Sequence, residues 1–200
     1  PICSQRPEMT NRKIAAEALS LLLRQSLAGR YSLSLFDVRK TVTGGRAIIN
    51  SISEYEKTTG ERLSSRPEGF TVKSGSLSLI FYDDRIQSRE RINWTLAHEL
   101  GHVCLRHTSD GKREESEANR FAAAFLMPED VLRFLDCSLG RELTPTEMTH
   151  YFPVSLTAAK RRRYSLPSDG TAPTPEGIEL VRRLFGSSYG SETAISHLII

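Results

Sequence analysis

Trp94-Thr95-Leu96-Ala97-His98-Glu99-Leu100-Gly101-His102-Val103-Cys104 is the stretch whose reading decides the fold. At its centre His98-Glu99-Leu100-Gly101-His102 is an H-E-x-x-H. On a helix, residues four apart lie one turn apart on one face, so both imidazoles can reach a single ion. Glu99 leaves the helix beside them, within reach of a water in an open position of that ion. The plain alternative is two surface histidines on an amphipathic helix. With only 5 histidines in 200 residues, the chance count for the pattern is ~0.01. The flanks are helical: Ile92, Leu96, Leu100 and Val103 recur at helical steps and give a core-facing stripe. Gly101 costs such a helix ~1 kcal/mol against Ala. Either it is tolerated, or another backbone approaches closely there.

Upstream, Gly69 to Lys73 alternates, Ser74-Gly75-Ser76 turns, and Leu77 to Tyr82 alternates again, which predicts a β-hairpin feeding the helix. Its free edge could hold an extended peptide across the ion, or it is ordinary sheet packing. Downstream, Thr108 to Lys112 makes a turn, and a second helix is expected from about Glu114 to Leu126. Its core stripe is Ala118, Phe121, Ala122 and Phe125, beside a stripe of Glu115, Asn119, Ala122 and Ala123. Small residues there suit close approach to Gly101. Pro128 ends this helix and starts the next, whose Glu129 and Asp130 complement its N-terminal dipole.

A catalytic zinc takes three protein ligands and keeps a fourth position for water. His107, Glu114, Glu115 and Glu117 are the candidates for the third. Glu115 lies four residues before Asn119, whose amide can support it from behind. Glu114 shares the face of Ala118 and Phe121. Glu117 aligns with Phe121 and is the worse choice. It is expected to be exposed, so that Glu117→Gln changes little. His107, near the helix end, is expected to face solvent. Spacing favours Glu115.

The run from Trp94 to His102, followed by Glu115-Ser116-Glu117-Ala118-Asn119-Arg120-Phe121-Ala122-Ala123-Ala124-Phe125-Leu126-Met127-Pro128, resembles the ImmA/IrrE family of metallo-endopeptidases. The close likeness covers about residues 90 to 130. It implies His98, His102 and Glu115 as Zn2+ ligands, Glu99 as catalytic carboxylate, and a regulatory protease that cuts a helix-turn-helix repressor. The fold class expected is α+β and zincin-like. In it a small sheet or hairpin packs on the H-E-x-x-H helix and a second ligand-bearing helix, with a mostly helical C-terminal region beyond.

The domains expected are a metallopeptidase unit over 9–135, a helix-turn-helix-like region over 141–166, a Pro-rich linker over 167–175, and a helix with tail over 176–200. A first helix is predicted from Asn11 to Leu27, capped by Thr10 or Asn11 and ended at Ala28-Gly29. Residues 31–50 are ambiguous between strand and helix, and 54–61 reads as loop or surface helix. In the C-terminal third, Thr144 to Phe152 and Ser155 to Tyr164 read as short helices, the second ending in Lys160-Arg161-Arg162-Arg163. That run is a solvated face, a DNA contact, or a contact for the repressor. The last helix is expected to turn Ile178, Val181, Leu184 and Phe185 to one side.

Net charge of +3 is too mild to imply nucleic acid by itself, and 38% hydrophobic with 26% charged residues describes a globular chain. No run approaches a membrane span, and the N-terminus lacks the layout of a signal peptide. The first Met is Met9, and residues 1–8 are expected to be a remnant of processing. Cys3, Cys104 and Cys137, odd in number and not at ligand spacing, point to a reducing cytoplasm. Two rivals remain open: a DNA- or repressor-binding regulator with a closed structural zinc, His107 serving as fourth ligand, and a metal-dependent hydrolase of a small molecule. His150, Tyr151 and Tyr164 are the candidates for stabilising an oxyanion.

Overall fold

The computed structural model describes residues 8–24, 47–166 and 172–185. Their architecture is α+β: a three-stranded sheet against a set of helices. Helix α1 (Asn11–Leu23) starts where Thr10 accepts a hydrogen bond from the Lys13 amide, and buries Ile14, Ala18 and Leu22 at successive turns. It closes at Leu23; Ala28-Gly29, the expected end, lies outside the described residues, as do 31–46 of the ambiguous stretch. The last residues of that stretch belong to strand β1 (Ala47–Ser51), and the polar run after it is helix α2 (Ile52–Thr59), capped by Ser51 and ended at Gly60 with φ 74°.

Strands β2 (Gly69–Ser74) and β3 (Leu77–Tyr82) form the expected hairpin, from Gly69↔Tyr82 to Ser74↔Leu77. Gly75 takes φ 61° at the first central position of the turn, a sign that L side chains avoid. β1 pairs with β3 in parallel, giving the order β1-β3-β2 and leaving β2 at an edge among the described residues. One face of β3 turns Ser78, Ile80 and Tyr82 inward, while on the other Phe81 stacks on Phe70 at 5.0 Å and meets Tyr55 edge-on.

Helix α3 (Arg89–Cys104) is capped by Ser88 and buries Ile92, Leu96 and Leu100, with Val103 packed at the margin. Helix α4 (Lys112–Leu126) buries Ala118, Phe121, Ala122 and Phe125, and its pairing with α3 is the most extensive in the described fold. A Cβ on Gly101 would sit 3.0 Å from the Ala118 Cα and 3.2 Å from its carbonyl oxygen. The close backbone approach is therefore real, and it brings α3 and α4 within side-chain reach of each other.

Helix α5 (Glu129–Leu139) follows Pro128. Helix α6 (Pro145–Tyr151) carries a capping box between Thr144 and Glu147, and helix α7 (Leu156–Ser165) is capped by Ser155. The basic run is partly internal. Arg163 grips the Asp136 carboxylate with two bonds of 2.8 and 2.9 Å, and Arg162 donates to the Met127 carbonyl. Burial pushes the Arg162 guanidinium down to about 10. Lys160 and Arg161 stay exposed. Helix α8 (Pro175–Phe185) packs on α1 and α5. It buries Leu180 with Val181 and Leu184, whereas Ile178 is only half-buried, because Gly177 takes the position nearest α5. A Cβ on Gly177 would fall 2.1 Å from the Asp130 carboxyl carbon. One buried apolar cluster runs from Ile14 through Leu96, Phe125 and Ala159 to Leu184.

Candidate metal centre

Helix α3 places His98 and His102 on one face, and α4 faces them with Glu115. The His98 and His102 Nε2 atoms lie 3.1 Å apart, and the two Glu115 carboxylate oxygens lie 3.3 Å from one and 3.3 Å from the other. Metal–donor bonds of ~2.0–2.1 Å at tetrahedral angles set donors ~3.3 Å apart, so this triangle has the dimensions of a zinc site. Among the described residues these three are the set of His, Cys, Asp and Glu side chains that could hold a metal. The donors are two imidazoles and a carboxylate, a set that suits Zn2+. Burial pushes the His102 imidazole below its ordinary 6.5, which keeps it neutral and ready as a donor.

Glu99 leaves α3 toward the sheet. Its Oε2 accepts a 2.6 Å hydrogen bond from the Thr71 hydroxyl on β2. Burial pushes the Glu99 carboxyl up, and the Thr71 bond and the neighbouring His98 oppose that rise. Gly69 on the same strand lets β2 lie close to α3, since a Cβ there would meet the Thr95 methyl at 2.4 Å and come within 3.6 Å of the Glu99 Cγ. A cleft of about 590 Å3 opens between α3, α4 and α7 and reaches the triad at Glu115, lined also by Trp94, Asn119, Ala123, Ala158 and Arg161 among others.

Three expectations need correction. His107 does not face solvent: it is 5% exposed, its Nδ1 lies 3.1 Å from the His102 Nδ1, and its Nε2 lies 3.0 Å from Glu117 Oε2. Glu117 is not a surface residue. It is 2% exposed, and its other oxygen accepts the Met9 amide at 2.7 Å. The two buried polar groups tolerate the interior because each satisfies the other. Burial works against the Glu117 charge, but the Met9 amide and His107 hold its carboxyl below the usual range. Asn119 does not brace the Glu115 carboxylate. Its Oδ1 meets His98 Nδ1 at 3.2 Å, and its amide nitrogen donates to the Glu115 backbone carbonyl.

These contacts bear on the closed-site rival. His107 stands behind His102, against the nitrogen that points away from the triangle, so it does not complete a fourth ligand position. None of His150, Tyr151 and Tyr164 lines the cleft. Thr71 was missed by sequence reading; its one visible signal is a β-branched hydroxyl on the strand feeding the helix.

Residues 54–164, more than half of the chain, match the family model of the IrrE N-terminal-like domain, the M78 peptidases. The chain belongs to this family. The match spans β2, β3, α3 and α4, so membership in this metallopeptidase family covers the whole triad and Glu99. No curated protein matches the chain.

Proposed function

We propose that this M78 family member is a zinc-dependent endopeptidase in which His98, His102 and Glu115 hold the metal and Glu99 is the catalytic carboxylate. The observation that carries this reading is the triangle of donors at 3.1 to 3.3 Å, with Glu99 beside it on the same helix. Bound there, Zn2+ would supply Lewis-acid polarisation of a carbonyl and acidify a water. Glu99 is the group placed to take that water's proton and pass it to the leaving amine. Thr71 aims the carboxylate: with Oε2 occupied by the hydroxyl, Oε1 is left for the proton. Asn119 orients His98 by accepting from its Nδ1, which leaves Nε2 for the metal.

A peptide is favoured over a small molecule by what flanks the site. Among the described residues β2 is the edge strand, a place where an extended chain could add, and the cleft on the α4–α7 side runs along Trp94, Asn119 and Arg161. The resemblance to ImmA/IrrE proteases supports a helix-turn-helix repressor as the protein cut. Lys160 and Arg161 are the exposed cations left to meet such a partner or its DNA, since Arg162 and Arg163 are engaged internally. We place the protease unit over residues 9–135 and the protein in the cytoplasm. The exposed Cys137, outside any disulfide among the described residues, suits that location, and no described helix is long and apolar enough to cross a membrane.

Glu99→Gln tests the reading. It should retain one equivalent of zinc and lose cleavage of a helix-turn-helix repressor by at least ~100-fold. Full cleavage in that variant would end the mechanism. Cleavage of unrelated peptides with none of the repressor would end the substrate assignment alone.

A further inference from the structure

We propose that His107 and Glu117 are positioning residues that fix the ring of His102 through a buried hydrogen-bonded chain anchored on the Met9 amide. The inference rests on the metal reading above and assigns these two residues a part in it. The chain runs from His102 Nδ1 to His107 Nδ1 at 3.1 Å, from His107 Nε2 to Glu117 Oε2 at 3.0 Å, and from the Met9 amide to Glu117 Oε1 at 2.7 Å. All three side chains are below 8% exposed, with His102 at 7%, His107 at 5% and Glu117 at 2%.

One assignment of protons satisfies the whole chain. If His102 presents Nε2 to a metal as a lone pair, its Nδ1 carries the hydrogen and donates to His107 Nδ1. His107 Nδ1 must then be unprotonated, so its hydrogen sits on Nε2 and donates to Glu117. The Glu117 carboxylate, a pure acceptor, takes that hydrogen on one oxygen and the Met9 N–H on the other. No donor faces a donor anywhere along the line. The opposite tautomer of His102 would put its hydrogen into the triangle, 3.1 Å from His98 Nε2, and leave His107 Nδ1 as the donor. With a neutral His107, which has one hydrogen to give, the carboxylate at the far end selects against that, because it takes the hydrogen of His107 Nε2. Glu117 therefore acts at a distance on which nitrogen of His102 is free.

The same groups hold the ring in place. His107 packs edge-on against His102 with centroids 4.9 Å apart, and its carbonyl accepts the Lys73 ammonium from β2. His98 has its own, shorter support in Asn119, so the two ligands are held from opposite sides by different devices.

The test uses the full chain with Zn2+ itself, measured by competition against a chromophoric chelator. His107→Phe keeps the packing and removes the acceptor; Glu117→Leu removes the carboxylate; both should weaken zinc about 10- to 100-fold. Glu117→Gln, which keeps an acceptor for His107, and His107→Gln, which keeps an acceptor for His102, should each recover part of that loss. The double variant His107→Phe with Glu117→Leu should be no worse than the weaker single, because the residues act in series. The visible bands of the Co2+-loaded protein should shift in His107→Phe and stay unchanged in His150→Phe, an exposed control. A purely structural role predicts something different: lower thermal stability without metal, but unchanged zinc affinity and cobalt spectrum in the folded variants. If His107→Phe or Glu117→Leu does not fold, the comparison of the two Gln variants with wild type decides. Zinc affinity within threefold of wild type in every folded variant overturns the proposal. Failure of the wild type to take up zinc at the triad would instead bring down the metal reading on which it stands.

Discussion

Gly101→Ala sets two effects of known size against each other. The gain is helix propensity, ~1 kcal/mol for replacing Gly by Ala in a helix interior. The cost comes from where the new methyl would go: 3.0 Å from the Ala118 Cα, 3.2 Å from the Ala118 carbonyl oxygen and 3.2 Å from the Phe121 Cβ. Carbon atoms in comfortable contact stand ~3.5–4.0 Å apart, so α3 and α4 must part by about 0.5 Å. Ala118 and Phe121 are fully buried, and α4 is also packed on α1, so the helix has little room to yield. Overpacking of this kind costs ~1–3 kcal/mol, which leaves a net loss of about 0–2 kcal/mol in urea unfolding of the metal-free protein. The site should feel more than the fold does. Both 3.3 Å separations between Glu115 and the histidines cross from one helix to the other, whereas the 3.1 Å separation lies within α3. Parting the helices therefore opens two sides of the triangle, and zinc affinity should fall about tenfold. The nearest obstacles are backbone atoms, so a second change of Ala118→Gly should not rescue it. A variant about 1 kcal/mol more stable than wild type, with zinc affinity unchanged, would falsify the close approach.

Two other predictions follow from the charges around the site. Thr71→Val removes the hydrogen bond that holds the Glu99 carboxyl down against burial, a charge-assisted bond worth ~1.5–3 kcal/mol. The Glu99 pKa should rise further above the ordinary carboxylate value, moving the acid limb of the kcat/KM profile to higher pH with zinc content unchanged; an unmoved limb would refute the role of Thr71. The metal-free protein should lose stability as pH falls below 6.5, the ordinary value for the imidazole, because the folded His102 resists the proton that the unfolded chain accepts. His102→Gln should flatten that slope below pH 6.5, and an equally steep slope in the variant would show that other groups cause it.

Much of this protein is set by interactions a few residues long, and those are legible in order along the chain. The i, i+4 spacing of His98 and His102 puts both on one face of any helix, whatever packs around it. Ser88, Thr144 and Ser155 cap helices through their own neighbours three residues on. Gly75 marks its turn because an L side chain there is strained. Gly101 reported a close contact because a glycine inside a helix costs stability unless something needs the space. Burial of charge is a different kind of fact. Spacing sends Glu117 and His107 outward, since a lone carboxylate or imidazole belongs in water. They are inside because they meet each other, ten positions apart on separate elements, and because Met9, 108 positions before Glu117, brings an amide to the second oxygen. Asn119 shows the same limit at close range. Its position one turn from Glu115 is a local matter, but which group its amide oxygen receives depends on where α3 lays His98. Arg162 and Arg163 look like a solvated run until α5 supplies Asp136 and the end of α4 supplies the Met127 carbonyl. Pairings of that sort exist only once distant segments are packed, and it is packing that decided them.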